Sequence, residues 1–144
     1  TPDLNPILLK PVGNYSSIVY LNGKRFKKMH AQEYYEKFVN IEGMKIASKS
    51  LRTLQKNFDL VIMEGAGSPA EINLQKYDIA NMKIAKKANA DVLLVTDIDK
   101  GGSFASLVGT MNLIDKKYQK LQMQLKKVAV EGTIQDEMRF IFSE

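Results

Sequence analysis

At 144 residues, with 44% hydrophobic and 26% charged residues, the chain has the composition of one globular domain able to bury a core. It has no cysteine and a single histidine, His30, which excludes disulfide scaffolds, thiol catalysis, zinc ribbons and any His-rich metal site. The net charge is +5, from 21 Lys and Arg against 16 Asp and Glu. Basic residues cluster at Lys24, Arg25, Lys27 and Lys28, and again at Lys116, Lys117, Lys120, Lys126 and Lys127. Almost all of this charge is Lys, whereas Arg is the usual base-reading residue. A solvated basic surface is therefore the favoured reading, and nucleic acid is not expected as a partner. No apolar run approaches the length of a membrane helix.

Residues 6–12, punctuated by Pro6 and Pro11, read as extended. Residues 17–21 (SIVYL) read as a strand, and Asn22-Gly23 as a turn. From about residue 31 to 57 the period changes. Tyr34, Phe38, Ile41, Met44, Ala47, Leu51, Leu54 and Phe58 recur at steps of three and four, which predicts an amphipathic helix. Gly43 inside it predicts a kink or break.

Residues 59–63 (DLVIM) form a short apolar run of the kind that is buried on both faces of a parallel sheet. Residues 64–73 (EGAGSPAEIN) are a loop by composition. Residues 78–89 return to helical spacing through Ile79, Met82, Ala85 and Ala88. Residues 91–96 (DVLLVT) read as a second buried strand and 97–103 (DIDKGGS) as a second loop. Phe104, Leu107, Val108, Met111, Ile114, Tyr118 and Leu121 mark another helix, with Ser103 as its cap. Residues 126–130 read as a third strand. Thr133 would cap a short helix running through Phe142. Strand, loop, helix, strand, loop, helix is the pattern of a mostly parallel sheet with flanking helices, so one α/β domain over 1–144 is expected. Both loops would then leave the carboxyl ends of neighbouring strands, the edge where open α/β sheets bind ligands.

The chemistry-bearing residues lie on those loops. Glu64 follows an apolar run directly, where a carboxylate can reach a magnesium ion or stand as an exposed acid. Gly65, Ala66 and Gly67 let a ligand approach the backbone, or simply make a turn. Asp97, Asp99 and Lys100 precede Gly101-Gly102, whose free N–H groups at a helix start suit an anion or an ordinary cap. Lys10 ends an extended apolar run and can meet an anionic group or solvent. His30, just before a helix, suits an exposed or capping role. No G-x-x-x-x-G-K-[ST] string is present, so no loop here can wrap phosphates as a P-loop does.

Four strings nevertheless occur in compatible order: Asn5-Pro-Ile-Leu-Leu-Lys-Pro11, Glu64 to Asn73, Asp78-Ile-Ala-Asn-Met82, and Asp97 to Ser106 with Gly109-Thr110. In these the sequence resembles the adenosylcobyric acid synthase family, the glutamine-hydrolysing amidotransferases of cobalamin biosynthesis. The resemblance implies part of a dethiobiotin-synthetase-like domain of the P-loop class. With ATP and Mg²⁺, that domain activates corrin carboxylates, and ammonia from a separate glutaminase domain completes the amides. It implies Glu64 as magnesium ligand and, with Asp97, as catalytic residue. It places Lys10, Ser68, Glu71, Asn73, Asp78, Asp99, Gly101 and Gly102 at the substrate or nucleotide.

The family's P-loop strand is expected before residue 1 and its glutaminase domain beyond residue 144. This chain is therefore expected to be an internal part of a synthetase, inactive alone, cytoplasmic, and prone to homo-oligomerise through an unpaired sheet edge. After Leu121 the sequence departs from the family pattern. The alternatives are a related carboxylate-activating enzyme, of the cobyrinic acid a,c-diamide synthase or dethiobiotin synthetase type, and a non-enzymatic basic binding module.

Overall fold

The computed structural model describes residues 1–114, 118, 127–131 and 139–141. The chain divides into two compact units. The first takes in Thr1–Ala66 and Tyr77–Ile84, the second Gly67–Lys76 and Ala85–Glu144.

The first unit is built on a three-stranded meander, β1 (Ile7–Pro11), β2 (Ser16–Leu21) and β3 (Lys24–His30), in the order β1-β2-β3. Both pairings are antiparallel because the links are too short for anything else. Gly13, Asn14 and Tyr15 all take positive φ in the first link. Asn22 (φ 49°) and Gly23 (φ 78°) make the second, a two-residue turn whose twist matches the strands it joins. The extended 6–12 segment, the 17–21 strand and the Asn22-Gly23 turn are thus as the sequence indicates. β3 is an addition. The register shifts between Val19 and Tyr20, so Val19 faces Lys27 while Tyr20 faces Arg25.

Alternation along these strands sorts the side chains into two faces. Ile7, Leu9, Val19, Leu21 and Met29 turn inward and meet Tyr34, Phe38 and Val39 in the core. Val19 is 0% exposed. The helical stretch after the sheet supplies the other half. α1 (Ala31–Glu33) starts at His30, whose Nδ1 accepts a hydrogen bond from the Gln32 N–H at 3.3 Å, the capping role expected of it. Lys27 pairs with Glu33 at 2.6 Å, and the Lys27 ammonium holds the Glu33 carboxyl below its ordinary value.

From Tyr34 to Gly43 the chain winds as a π-helix, then as α2 (Met44–Asn57). The buried residues of the π stretch are Tyr34, Phe38, Val39 and Gly43. That is a repeat of four to five, not three to four. It is why Ile41, expected on the buried stripe, is 59% exposed. The Met44 N–H donates back to Val39, a five-residue step that closes the wide winding. Gly43 marks the change of winding without breaking the helix. A Cβ there would lie 3.1 Å from Ile79 and 3.6 Å from Ile7, so the position needs a small residue for space.

Two further expectations fail. Residues 59–63 form no strand. Among the described residues the run finds no ladder partner, and Leu60 and Ile62 are exposed. An apolar run becomes a strand only where a neighbour satisfies its backbone, so composition alone over-reads it. The sheet is also not mostly parallel. Among the described residues, three of the four strand pairings are antiparallel.

The second unit holds the parallel pair. β4 (Leu93–Asp97) runs parallel to β5 (Lys127–Glu131), with α4 (Ser103–Leu113) in the connection between them, and β6 (Arg139–Ile141) adds to β5 antiparallel. β4 and β5 fall where the sequence places strands. The helix expected from Thr133 through Phe142 does not hold, since Arg139–Ile141 is a strand. The rest of that segment lies outside the described residues. Ser103 is not a cap either. Gly101 (φ 73°) and Gly102 (φ 67°) are both left-handed, and Gly102 is the residue at which the helix begins. Ser103 is therefore inside the first turn and buried. No helix among the described residues is long and apolar enough to cross a membrane.

Candidate functional site

In the first unit the loop that carries Glu64 is held by the turn leading into α3 (Met82–Ala88). Asp78 organises that turn. Its Oδ1 accepts from the N–H groups of Ala80 (3.0 Å) and Asn81 (2.8 Å) and from Asn81 Nδ2 (3.2 Å), and its Oδ2 accepts from the Met82 N–H at 3.1 Å. These bonds satisfy donors that a helix start leaves without partners. They also occupy much of the carboxylate's accepting capacity. Asn81, oriented by Asp78, donates from Nδ2 to the Ala66 carbonyl at 2.9 Å. Gly65 lies directly against the Asn81 side chain, and a Cβ at Gly65 would collide with Asn81 Oδ1. Asp78, Asn81, Gly65 and Ala66 thus form a clamp one residue away from Glu64. The Glu64 carboxylate is exposed and has no protein partner among the described residues.

Lys10 also lies in this unit, exposed on β1, with its ammonium 5.2 Å from the centre of the Tyr20 ring.

The other expected residues belong to the second unit. Ser68 Oγ accepts from the Ala70 N–H at 3.1 Å, and the Ser68 carbonyl accepts from the Glu71 N–H at 3.4 Å, so Ser68 shapes its own turn. Glu71 and Asn73 are exposed. Gln75 fixes this loop. Its Nε2 donates to the Leu113 carbonyl at 2.6 Å, one of the acceptors that the C-terminus of α4 leaves free.

Asp97 closes β4. Its Oδ1 accepts from the Asp99 N–H at 3.0 Å, and its Oδ2 pairs with Lys100 at 3.1 Å. The consecutive left-handed glycines then turn the chain into α4.

The structure therefore groups Glu64 with Asp78 in one unit, and Asp97 with Asp99, Gly101 and Gly102 in the other. Two positioning residues, Asn81 and Gln75, carry no obvious chemistry in sequence. Asp78 just before a helical run is a helix-start signal that points to the turn carrying the first, though not to the part its side chain plays. A lone Gln in a polar loop offers none for the second.

A single free carboxylate suits Mg²⁺, which takes one or two carboxylates and fills its remaining positions with water and phosphate oxygens. Among the described residues no group of three or more His, Cys, Asp or Glu forms an all-protein metal cage. Glu64 thus fits the sparse mode and not the caged one.

No family model matches the chain, and no solved structure matches it. Curated proteins do. A probable cobyric acid synthase from Methanococcus voltae is 55% identical over 118 residues, 81% of this chain and 50% of that protein. The cobyric acid synthase of Nostoc sp. (strain PCC 7120) is 48% identical over 119 residues, 83% of this chain and 24% of its own length. That of Acaryochloris marina is 50% identical over 113 residues, 78% of this chain and 22% of its own length. The chain thus spans from about half to less than a quarter of these relatives. Across about four fifths of its length it is a homologue of the cobyric acid synthases, as its four motif strings indicate.

Proposed function

We propose that this chain carries part of the carboxylate-activating region of a cobyric acid synthase, acting in cobalamin biosynthesis. The reaction of the whole protein is amidation of carboxylate side chains on adenosylcobyrinic acid a,c-diamide, with ATP and glutamine-derived ammonia. The observation that carries this reading is the identity of about half the residues to proteins of that name over four fifths of the chain. The clamp at Gly65 and Ala66 supports it, because a packed glycine and a buttressed Asn hold the backbone next to an exposed carboxylate that has no protein partner among the described residues.

On this reading Glu64 would hold Mg²⁺, which supplies charge neutralisation for the nucleotide phosphates. Asp78 and Asn81 hold the backbone at Gly65 and Ala66. Asp97 orders the loop before Gly101-Gly102. Glutamine hydrolysis, which in this family needs a Cys nucleophile, is assigned to another part of the protein, since this chain has no cysteine.

The test is calorimetric binding of adenosylcobyrinic acid a,c-diamide with Mg²⁺ and ATP, by the chain and by Glu64→Ala. Saturable, magnesium-dependent binding weakened by the substitution is expected. Binding that ignores both magnesium and Glu64 would overturn the assignment.

A further inference from the structure

The outer face of the first sheet carries charge that no carboxylate answers among the described residues, with the Lys10 ammonium resting 5.2 Å from the centre of the Tyr20 ring. Between Asp3 and Glu33 the sequence has five Lys and Arg and no Asp or Glu. Directly opposed residues of an antiparallel pair share a face. Lys10 faces Ile18, and Ile18 faces Lys28; Leu8 faces Tyr20, and Tyr20 faces Arg25. The outward residues therefore stand in two rows across three strands. Ile18 and Tyr20, both half-buried, form the centre. Lys10 stands on one side and Arg25 and Lys28 on the other, all exposed. At the usual strand spacing the two cationic sides are about 10 Å apart. Lys27, which alternation places on the inner face, is neutralised by Glu33. Lys10, Arg25 and Lys28 have no carboxylate partner among the described residues.

We propose that this face binds a flat polycarboxylate, its ring lying on Ile18 and Tyr20 and its peripheral carboxylates reaching the cations on either side. A linear polyanion such as nucleic acid calls for a continuous line of cations along its backbone. Cations divided by an apolar strip instead fit a disc with acidic edges. The inference rests on the proposed function and deepens it, because the corrin substrate is such a disc. It assigns substrate recognition to Arg25 and Lys28, which none of the four motif strings contains.

The experiment titrates the full chain with adenosylcobyrinic acid a,c-diamide and, separately, with the amidated product adenosylcobyric acid, at low salt. The variant is Lys10→Gln/Arg25→Gln/Lys28→Gln, all at exposed positions. Loss of three screened ion pairs predicts an affinity for the carboxylate-rich ring lower by about tenfold, with a much smaller loss for the amidated ring. Equal losses for both rings, or no loss, would overturn the proposal. So would a triple variant that loses poly(dT) binding while holding the corrin unchanged. Glu64→Ala keeps the two readings apart. If it abolishes magnesium-dependent binding while the triple variant binds normally, the function stands and the face falls. If the unaltered chain binds no corrin, both fall.

Discussion

Two apolar runs in the first unit read alike in sequence and end differently. Residues 17–21 (SIVYL) sit between two antiparallel neighbours, and Val19 is 0% exposed. Residues 59–63 (DLVIM) are at least as apolar, yet among the described residues they join no ladder, and Ile62 is 87% exposed. Intrinsic preference is the same in both. What differs is whether short turns deliver a partner strand. The first run has the Gly13–Tyr15 and Asn22-Gly23 turns on its flanks. The second is preceded by a helix of 14 residues and followed by a loop clamped to a helix start. Strand propensity therefore states fitness for a half-buried surface and leaves the existence of that surface to the rest of the chain.

The sharpest test of this contrast places one charge in each run. Val19→Asp buries an unpaired carboxylate and is expected to cost about 4 kcal/mol or more, enough to unfold the first unit. Ile62→Asp is expected to change stability by no more than about 0.5 kcal/mol. Urea unfolding followed by circular dichroism measures both. A large loss at Ile62 would show that the second run is packed in solution.

A second test uses pH on the core that Val19 helps to build. Burial pushes the Tyr34 hydroxyl up to about 12 from its ordinary 10.0. The neutral phenol is the form the fold favours. Its contribution is complete below about pH 10, where the unfolded chain also keeps its proton, and is lost as pH rises from 10 toward 12. At the upper end roughly 2–3 kcal/mol is at stake. Tyr34→Phe should flatten that alkaline loss, and stability measured between pH 9 and 12 shows whether it does. An unchanged slope would remove Tyr34 as its source.

A smaller effect than either core test lies beside the exposed run. Gly65→Ala must displace Asn81, losing the bond to Ala66 at a cost of about 1–2 kcal/mol. The Asn81 side-chain amide resonance should shift toward its solvent position. A resonance that stays in place would mean that the clamp yields without strain.

The difference between the two runs also explains how much was legible in sequence. The helix over 31–57, the β2 strand and the β4 strand could be read because local pattern and tertiary setting agree there. β3 (KRFKKMH) was invisible as a strand because its inward side holds Met29 among charged residues, and only pairing with β2 makes it one. Ile41 was misplaced because the π winding changes the period, which no local residue announces. At the site, Glu64, Asp78 and the paired glycines were visible as chemistry. The part Asp78 plays in the turn, and the whole of Asn81's and Gln75's contribution, depends on contacts made after folding. Ser103 looked like a cap because hydroxyl residues usually are, yet the glycine before it takes that place.

The ten-residue π stretch has a consequence for how the sequence can vary. Each turn of such a helix contains more chain than the α form needs to climb the same height. Tyr34–Gly43 therefore acts as a reserve of length between β3 and α2. Deleting one residue there can be absorbed by tightening the winding, with the anchors at Met29 and Leu51 left in place. The same deletion inside α2 would rotate every following side chain by about 100°, the α-helical turn per residue. Homologues of unequal length should accordingly place their gaps in this reserve and keep the α2 spacing intact.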